Sequence, residues 1–158
     1  MASNHLEDLV AEWYEFNGFF VRRNVQVGKR PLGGYECELD VIVLHPAENR
    51  LVHIEPSLDA DTWAVREDRF SKKFAAGRKY IPEFFAGLQL PPQIEQIALL
   101  VFASKSSRTI LGGGKIVLIS EFMREIQDGL RGRSVARAAV PEQYPLLRSL
   151  QFAAQYWQ

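Results

Sequence analysis

Two runs of strand length, Glu36–Leu44 and Leu51–Ser57, are separated only by the turn-rich stretch His45-Pro46-Ala47-Glu48-Asn49-Arg50, and this pairing restricts the fold more than any other feature. In the first run Cys37, Leu39, Val41 and Val43 alternate with Glu36, Glu38, Asp40 and Ile42, which predicts one apolar and one largely acidic face. In the second, Val52 and Ile54 alternate with His53, Glu55 and Ser57. A turn over Pro46–Asn49 closes His45 against Arg50, and the register follows: Val43 opposes Val52, Val41 opposes Ile54, and Asp40 opposes Glu55. Like charges opposed across strands destabilise the pair, more so if helices cover that face and lower the dielectric. The repulsion has two remedies. A divalent cation such as Mg²⁺ takes oxygen ligands, keeps waters, and commonly uses one or two carboxylates plus a substrate phosphate. Alternatively the pair is solvent-exposed and flanked by Arg50 or an arginine from a helix.

The remaining periodicities supply the frame around this hairpin. Leu6, Leu9, Val10, Trp13 and Phe16 recur at helical spacing over His5–Phe16, and Asn17-Gly18 is a stop signal. Phe19–Val27 reads as a strand and Gly28–Gly34 as a turn region. Helical period returns from about Thr62 to Phe85, with Pro82 tolerated near its end. Gln96–Ser104 and Lys115–Ser120 have the apolar density of strands buried on both faces, with Lys105–Gly114 a loop between them. Glu121–Leu130 and roughly Pro141–Trp157 complete the set as helices. The order implies an α/β domain with a mixed central sheet flanked by helices on both faces.

The 158 residues are expected to form one domain, 1–158; the 47% hydrophobic and 24% charged fractions are those of a chain that buries a core. A single cysteine, Cys37, cannot form an internal disulfide, no basic-then-apolar leader opens the sequence, and no apolar run approaches bilayer length. The expectation is a cytoplasmic protein without a membrane partner. Net charge is zero but unevenly spread: Met1–Asp61 carries 5 Lys/Arg against 11 Asp/Glu, and Thr62–Gln158 carries 14 against 8. An acidic segment followed by a basic one suits a cation held beside a polyanion, and chance produces it too.

Glu7 in the opening helix, the segment Glu38-Leu39-Asp40-Val41-Ile42-Val43 and the segment Val52-His53-Ile54-Glu55-Pro56-Ser57 together resemble the PD-(D/E)XK, or restriction-endonuclease-like, phosphodiesterase superfamily. The resemblance spans Asn4 to about Phe85. It implies a restriction-endonuclease-like fold, with Asp40 and Glu55 as ligands of Mg²⁺ or Mn²⁺ and Glu7 as a helical third carboxylate. Where the family pattern carries a lysine assisting hydrolysis, this chain has Ser57, which would give only an auxiliary contact to a water. Some members of the superfamily carry that lysine on the neighbouring helix, and this one offers Lys72 and Lys73. At about 100° per residue, Trp63, Phe70, Phe74, Ile81 and Phe85 form one stripe. Lys72 projects away from it; Lys73 lies on its margin near Arg66 and Gly77.

Each of these residues also has a structural role open to it. A helix-margin lysine such as Lys73 often lays its stem over apolar surface with its charge in water. Asn4 and Glu7 fit a capping-box pattern, and Ser57, Asp59 and Asp61 are all cap or turn formers. His53 shares the Glu55 face, but His5, His45 and His53 lack zinc spacing. Gly112-Gly113-Gly114-Lys115 lacks the full phosphate-loop pattern and precedes a strand, so a P-loop is discarded. Trp63–Lys79 carries six Lys/Arg against two acids, and Arg131, Arg133 and Arg137 form a second basic patch; either face suits a phosphate backbone or plain solvent.

Three functional readings follow. One is a Mg²⁺-dependent nuclease hydrolysing DNA, with Asp40, Glu55, Lys73 and Ser57 at the catalytic centre and Asp40, Glu55 and Glu7 as metal ligands. Another is an inactive nuclease-fold module that binds nucleic acid or protein. The last is a structural or regulatory homodimer in which the acidic hairpin is solvated and the aromatic-rich final helix forms core or dimer surface.

Overall fold

The computed structural model describes residues 4–104 and 106–157. The chain forms α1 (His5–Phe16), β1 (Phe20–Lys29), β2 (Tyr35–His45), β3 (Arg50–Ser57), α2 (Trp63–Phe84), β4 (Glu95–Leu100), β5 (Ile110–Leu111), β6 (Gly114–Leu118), α3 (Ile119–Leu130) and α4 (Pro145–Tyr156). The six strands make one mixed sheet in the order β1-β2-β3-β4-β6-β5. β1, β2 and β3 run antiparallel, β3–β4 and β4–β6 are parallel, and β5 returns antiparallel on β6. The architecture is α/β, with a mixed sheet flanked by helices. Among the described residues no helix is long and apolar enough to cross a membrane.

Two layers of side chains hold the helices to the sheet. On one face Leu6, Leu9, Val10 and Trp13 of α1 and Phe122, Ile126 and Leu130 of α3 pack on Val41, Val43, Val52 and Ile54, joined by Leu147 of α4. On the other lies α2. Phe70 and Phe74 pack on Ala98, Leu100, Leu111 and Ile116, while Ile81 packs on Ile42, Leu44 and Leu51. Full burial of such side chains contributes roughly 1.5–3 kcal/mol each, so this stripe fixes the rotation of α2 about its axis. Thr62 starts the helix by accepting a hydrogen bond from the Val65 N–H, and Pro82 sits inside its final turn.

Several boundaries depart from the periodicity. The expected loop 105–114 contains β5, a two-residue strand paired with β6 through Ile110–Lys115 and Leu111–Gly114; Lys105 lies outside the described residues. β4 stops at Leu100 and not at Ser104, and α3 begins at Ile119, where Glu121 accepts the Leu118 N–H. α4 begins at Pro145 and not Pro141, because Pro141 to Tyr144 closes a separate turn (Tyr144 N–H to Pro141 O, 3.0 Å). Tyr144 supplies no capping side chain, and the Glu12 carboxylate of α1 instead accepts from the amides of Leu146 (3.4 Å) and Leu147 (3.0 Å).

One departure reaches the hairpin itself. Cys37, Leu39, Val41 and Val43 do not share one face as alternation predicts: Val41 and Val43 face the α1 side, but Leu39 and Cys37 pack on the α2 side with Val25 and Val27. The β1–β2 ladder pairs Arg23 with Val41 and then Val25 with Leu39, skipping Asn24 and Asp40. Asn24 takes a left-handed conformation (φ +50°) that asparagine tolerates better than most residues, and both strands exchange faces there.

Candidate functional site

Asp40 sits at this break and Glu55 lies beside it on β3. The predicted hairpin register holds from His45–Arg50 to Val41–Ile54, so the four-residue turn is Pro46–Asn49. The ladder ends there. Asp40 and Glu55 do not form a further rung; the Asp40 backbone N–H donates to Glu55 Oε1 at 3.1 Å. A side chain therefore satisfies a backbone group that neither neighbouring strand pairs.

Lys73 of α2 joins the two acids. Its ammonium donates to Asp40 Oδ1 at 2.7 Å and also to Glu55 Oε2. Lys72 points the other way and pairs with Asp68 one turn back at 2.8 Å. The apolar stripe explains the choice, because Phe70, Phe74 and Gly77 face the sheet and carry Lys73 to its edge. The Glu55 side chain is 2% exposed, whereas Asp40 and Lys73 retain 14% and 23%, so the cluster is sealed at its base and open at its rim.

Electrostatics at the site are strongly perturbed. Burial, and then neighbouring Glu55, push the Asp40 carboxyl up to about 7 against the opposing pull of Lys73. Burial alone would lower Lys73, but Glu55 and Asp40 outweigh it and hold the ammonium above its ordinary value. Glu7, buried in the first turn of α1, is also raised, by burial and then by Asp40. Its carboxylate accepts from the Asn4 side chain while its N–H donates to Asn4 Oδ1 at 2.9 Å, so Glu7 both caps α1 and lies within the field of Asp40. Among the described residues no group of three or more His, Cys, Asp or Glu side chains is arranged to hold a metal ion.

Behind Glu55 lies a buried chain of polar groups. His53 is fully buried, its Nε2 2.7 Å from Glu55 Oε1 and its ring edge-on to Phe74. Burial, and then Lys73, push its imidazole down to about 3, which keeps it neutral at physiological pH. Gln96 of β4, paired with His53 across the parallel ladder, places its amide nitrogen 3.2 Å from His53 Nδ1 and 2.9 Å from the Phe74 carbonyl. Arg78 donates to the other end of that amide, Gln96 Oε1, at 2.7 Å.

Ser57 belongs to a neighbouring network and not to the carboxylate cluster. Its hydroxyl donates to Asp59 and accepts from Arg69 at 3.3 Å. Arg69, one helical turn before Lys73, also bonds Asp59 and Asp61, while nearly buried Arg66 bonds Asp59 at 3.2 Å and the carbonyls of Asp59 and Phe102. Burial opposes ionisation of Asp59, but the Asp61 amide with Arg66 and Arg69 outweighs it and holds the carboxyl below its ordinary value. The basic run on α2 is thus largely paired within the chain; even Lys79 lies 3.8 Å from Glu36.

The sequence pointed to Asp40, Glu55, Lys73, Glu7, Ser57 and His53, and to Asp59 only as a cap or turn former, but not to Gln96, Arg78 or Arg69. Arg69 was findable, four residues before Lys73 on the same helix face. Gln96 was not, because its place beside His53 depends on a parallel register set by the docking of α2. Comparison with known protein families, curated proteins and solved structures finds no match to this chain.

Proposed function

We propose that this chain is a Mg²⁺-dependent phosphodiesterase of the restriction-endonuclease-like kind that hydrolyses DNA, with Asp40 and Glu55 as the metal ligands. The observation that carries the reading is the meeting of Asp40, Glu55 and Lys73 at the rim of the sheet, with Asp40 raised to about 7. Two carboxylates with Glu7 near them leave the cluster net negative even after Lys73 is counted, and a hard dication with oxygen ligands offsets that charge. The donor set fits Mg²⁺ or Mn²⁺: two carboxylates, one of them at a partly open rim, match an ion that commonly uses one or two protein carboxylates and completes its shell with water and phosphate oxygens, with no protein cage needed. The element order, one helix, three antiparallel strands, a long helix and a parallel strand, fits the fold that the sequence resemblance implies.

When bound, the metal would polarise the phosphate and lower the pKa of a bound water. The chain's own groups then have distinct tasks. Asp40 and Glu55 hold the cation, and Glu7 adds negative charge from α1. Lys73 stands at the carboxylates from the helix, where its ammonium would orient a water or stabilise charge building on the phosphate oxygens. Ser57, engaged by Asp59 and Arg69, takes no direct part.

That engagement also favours a second reading, an inactive module that keeps the fold and binds nucleic acid or protein. The test separates the two: calorimetric titration of Mg²⁺ and Mn²⁺ into wild type and Asp40→Asn, with plasmid and oligonucleotide cleavage on the same preparations. The nuclease reading expects saturable binding lost in Asp40→Asn, and metal-dependent cleavage lost in Asp40→Asn and Lys73→Ala. DNA affinity with a negative salt slope and no turnover would establish the binding module. Absence of carboxylate-dependent metal binding, even with DNA present, would sink the nuclease reading.

A further inference from the structure

The buried polar chain behind Glu55 is an expensive feature that the two-carboxylate reading does not use. A neutral imidazole can meet a carboxylate with either an N–H or a lone pair, and only the first arrangement is favourable. The partners settle which one this is. Gln96 Oε1 accepts from Arg78 (2.7 Å), so the other end of the amide is NH₂; it donates to the Phe74 carbonyl (2.9 Å) and faces His53 Nδ1 (3.2 Å). Nδ1 must therefore accept, and the ring proton lies on Nε2, 2.7 Å from Glu55 Oε1. Gly77 makes the position available, because a Cβ there would lie 2.3 Å from His53 Nδ1.

Glu55 Oε1 consequently receives two fixed donors, His53 Nε2–H and the Asp40 amide N–H at 3.1 Å, whereas Oε2 accepts from Lys73 beside the Asp40 carboxyl. The two carboxylate oxygens are inequivalent, and the difference is imposed from behind the sheet. We infer that His53, held as its Nε2–H tautomer by Gln96 and Arg78, is a positioning residue that occupies one oxygen of Glu55 and leaves the other, with Asp40 Oδ1, for a divalent cation that takes the place the Lys73 ammonium holds on those two oxygens. The inference rests on the metal-binding reading of Asp40 and Glu55. Hydrogen-bond partners of this kind behind a ligand typically govern metal affinity by 10–100-fold.

The test uses the full chain and Mn²⁺ alone, with no substrate. Long-range ¹H–¹⁵N NMR of the wild type is expected to show the Nε2–H tautomer of His53. Calorimetric Mn²⁺ titration of folded His53→Phe, which removes the donor, is expected to show about 10–100-fold weaker binding. His53→Gln, whose amide N–H reaches toward the place of Nε2, is expected to restore most of the wild-type affinity, which a purely space-filling role would not predict. An Nδ1–H tautomer overturns the inference, as does Mn²⁺ affinity in His53→Phe equal to wild type. Should His53→Phe not fold, the tautomer and an His53→Gln variant with affinity as weak as Asp40→Asn still decide against it. Wild-type protein that binds no Mn²⁺ overturns the metal reading and this inference together, whereas wild-type binding with an indifferent His53→Phe overturns the inference alone.

Discussion

Replacing Asp40 with Asn in metal-free protein should stabilise the fold, and only at the upper end of the pH range. Asp40 is raised from 3.8 to about 7, with burial and Glu55 outweighing Lys73. A carboxyl raised in the native state binds its proton more tightly there than in the unfolded chain. Its favourable contribution is full below 3.8 and disappears as pH rises through about 7, so ionised Asp40 is a net cost above that point. At about 1.36 kcal/mol per pKa unit the shift sets a ceiling of roughly 4 kcal/mol. Asn keeps the shape, removes the charge facing Glu55, and leaves Lys73 its stronger partner. In urea unfolding with chelator present, Asp40→Asn should match wild type near pH 4 and exceed it by roughly 2–4 kcal/mol at pH 8. The thermal midpoint should rise by about 2–4 °C per kcal/mol for a chain of this size. Added Mg²⁺ should close the gap by stabilising only the wild type. A variant less stable than wild type at pH 8 would refute the reasoning, because it would mean that the Asp40–Lys73 pair stabilises more than the opposed acids destabilise.

Two further perturbations probe the cations around the site. Lys73→Met leaves Glu55, 2% exposed, without its cation, and breaking a buried pair in this way costs about 3–5 kcal/mol. Urea unfolding at pH 8 measures it, and a loss below about 0.5 kcal/mol would mean a snorkelling lysine, with the effect of an ordinary surface substitution. Arg66→Met removes one of the two guanidinium partners of Asp59 and leaves the carbonyls of Asp59 and Phe102 without this donor, with an expected loss of about 1–3 kcal/mol at pH 7. Because Asp59 is held below its ordinary value, its contribution is present above the unfolded pKa and lost as pH falls through the folded one. The gap between wild type and variant should therefore narrow in unfolding curves taken below about pH 4; a gap independent of pH would assign the loss to the carbonyl contacts.

What could be read from the sequence divides along the range of the interaction involved. The hairpin register followed from a four-residue turn and two apolar faces, both local, and the structure keeps it from His45–Arg50 to Val41–Ile54. The side of α2 that carries Lys73 followed from helical period, since Phe70, Phe74 and Ile81 leave little choice of rotation. The face exchange at Leu39 did not, because it rests on one left-handed residue, Asn24, in the partner strand. β5 escaped notice because two residues carry no periodicity, and its pairing to β6 is defined only once β6 lies beside β4. Gln96 and Arg78 escaped for the same reason: they meet His53 through parallel pairing and helix docking, which alternation within a strand cannot reveal.

The position of the break in the sheet bears on whether the acidic cluster is incidental. Both ladders flanking Asp40 lapse at that residue, so the fold forgoes backbone pairing at the same point where it opposes two acids. A sequence selected for stability alone could place amides at 40 and 55 and keep the Glu55-to-Asp40 bond as a neutral one, without the repulsion. Instead Glu55 Oε1 is fixed by His53 and the Asp40 amide, and its other oxygen is turned with Asp40 toward the partly open rim under Lys73. On the proposed reading such an arrangement costs stability in the metal-free chain and serves to gather positive charge. Perturbed carboxylates brought together at one point are characteristic of functional sites, although ion-pair networks perturb titration as well. The sign of the Asp40→Asn effect separates these two origins: a structural ion pair loses stability when one member is neutralised, and a site poised for a cation gains it.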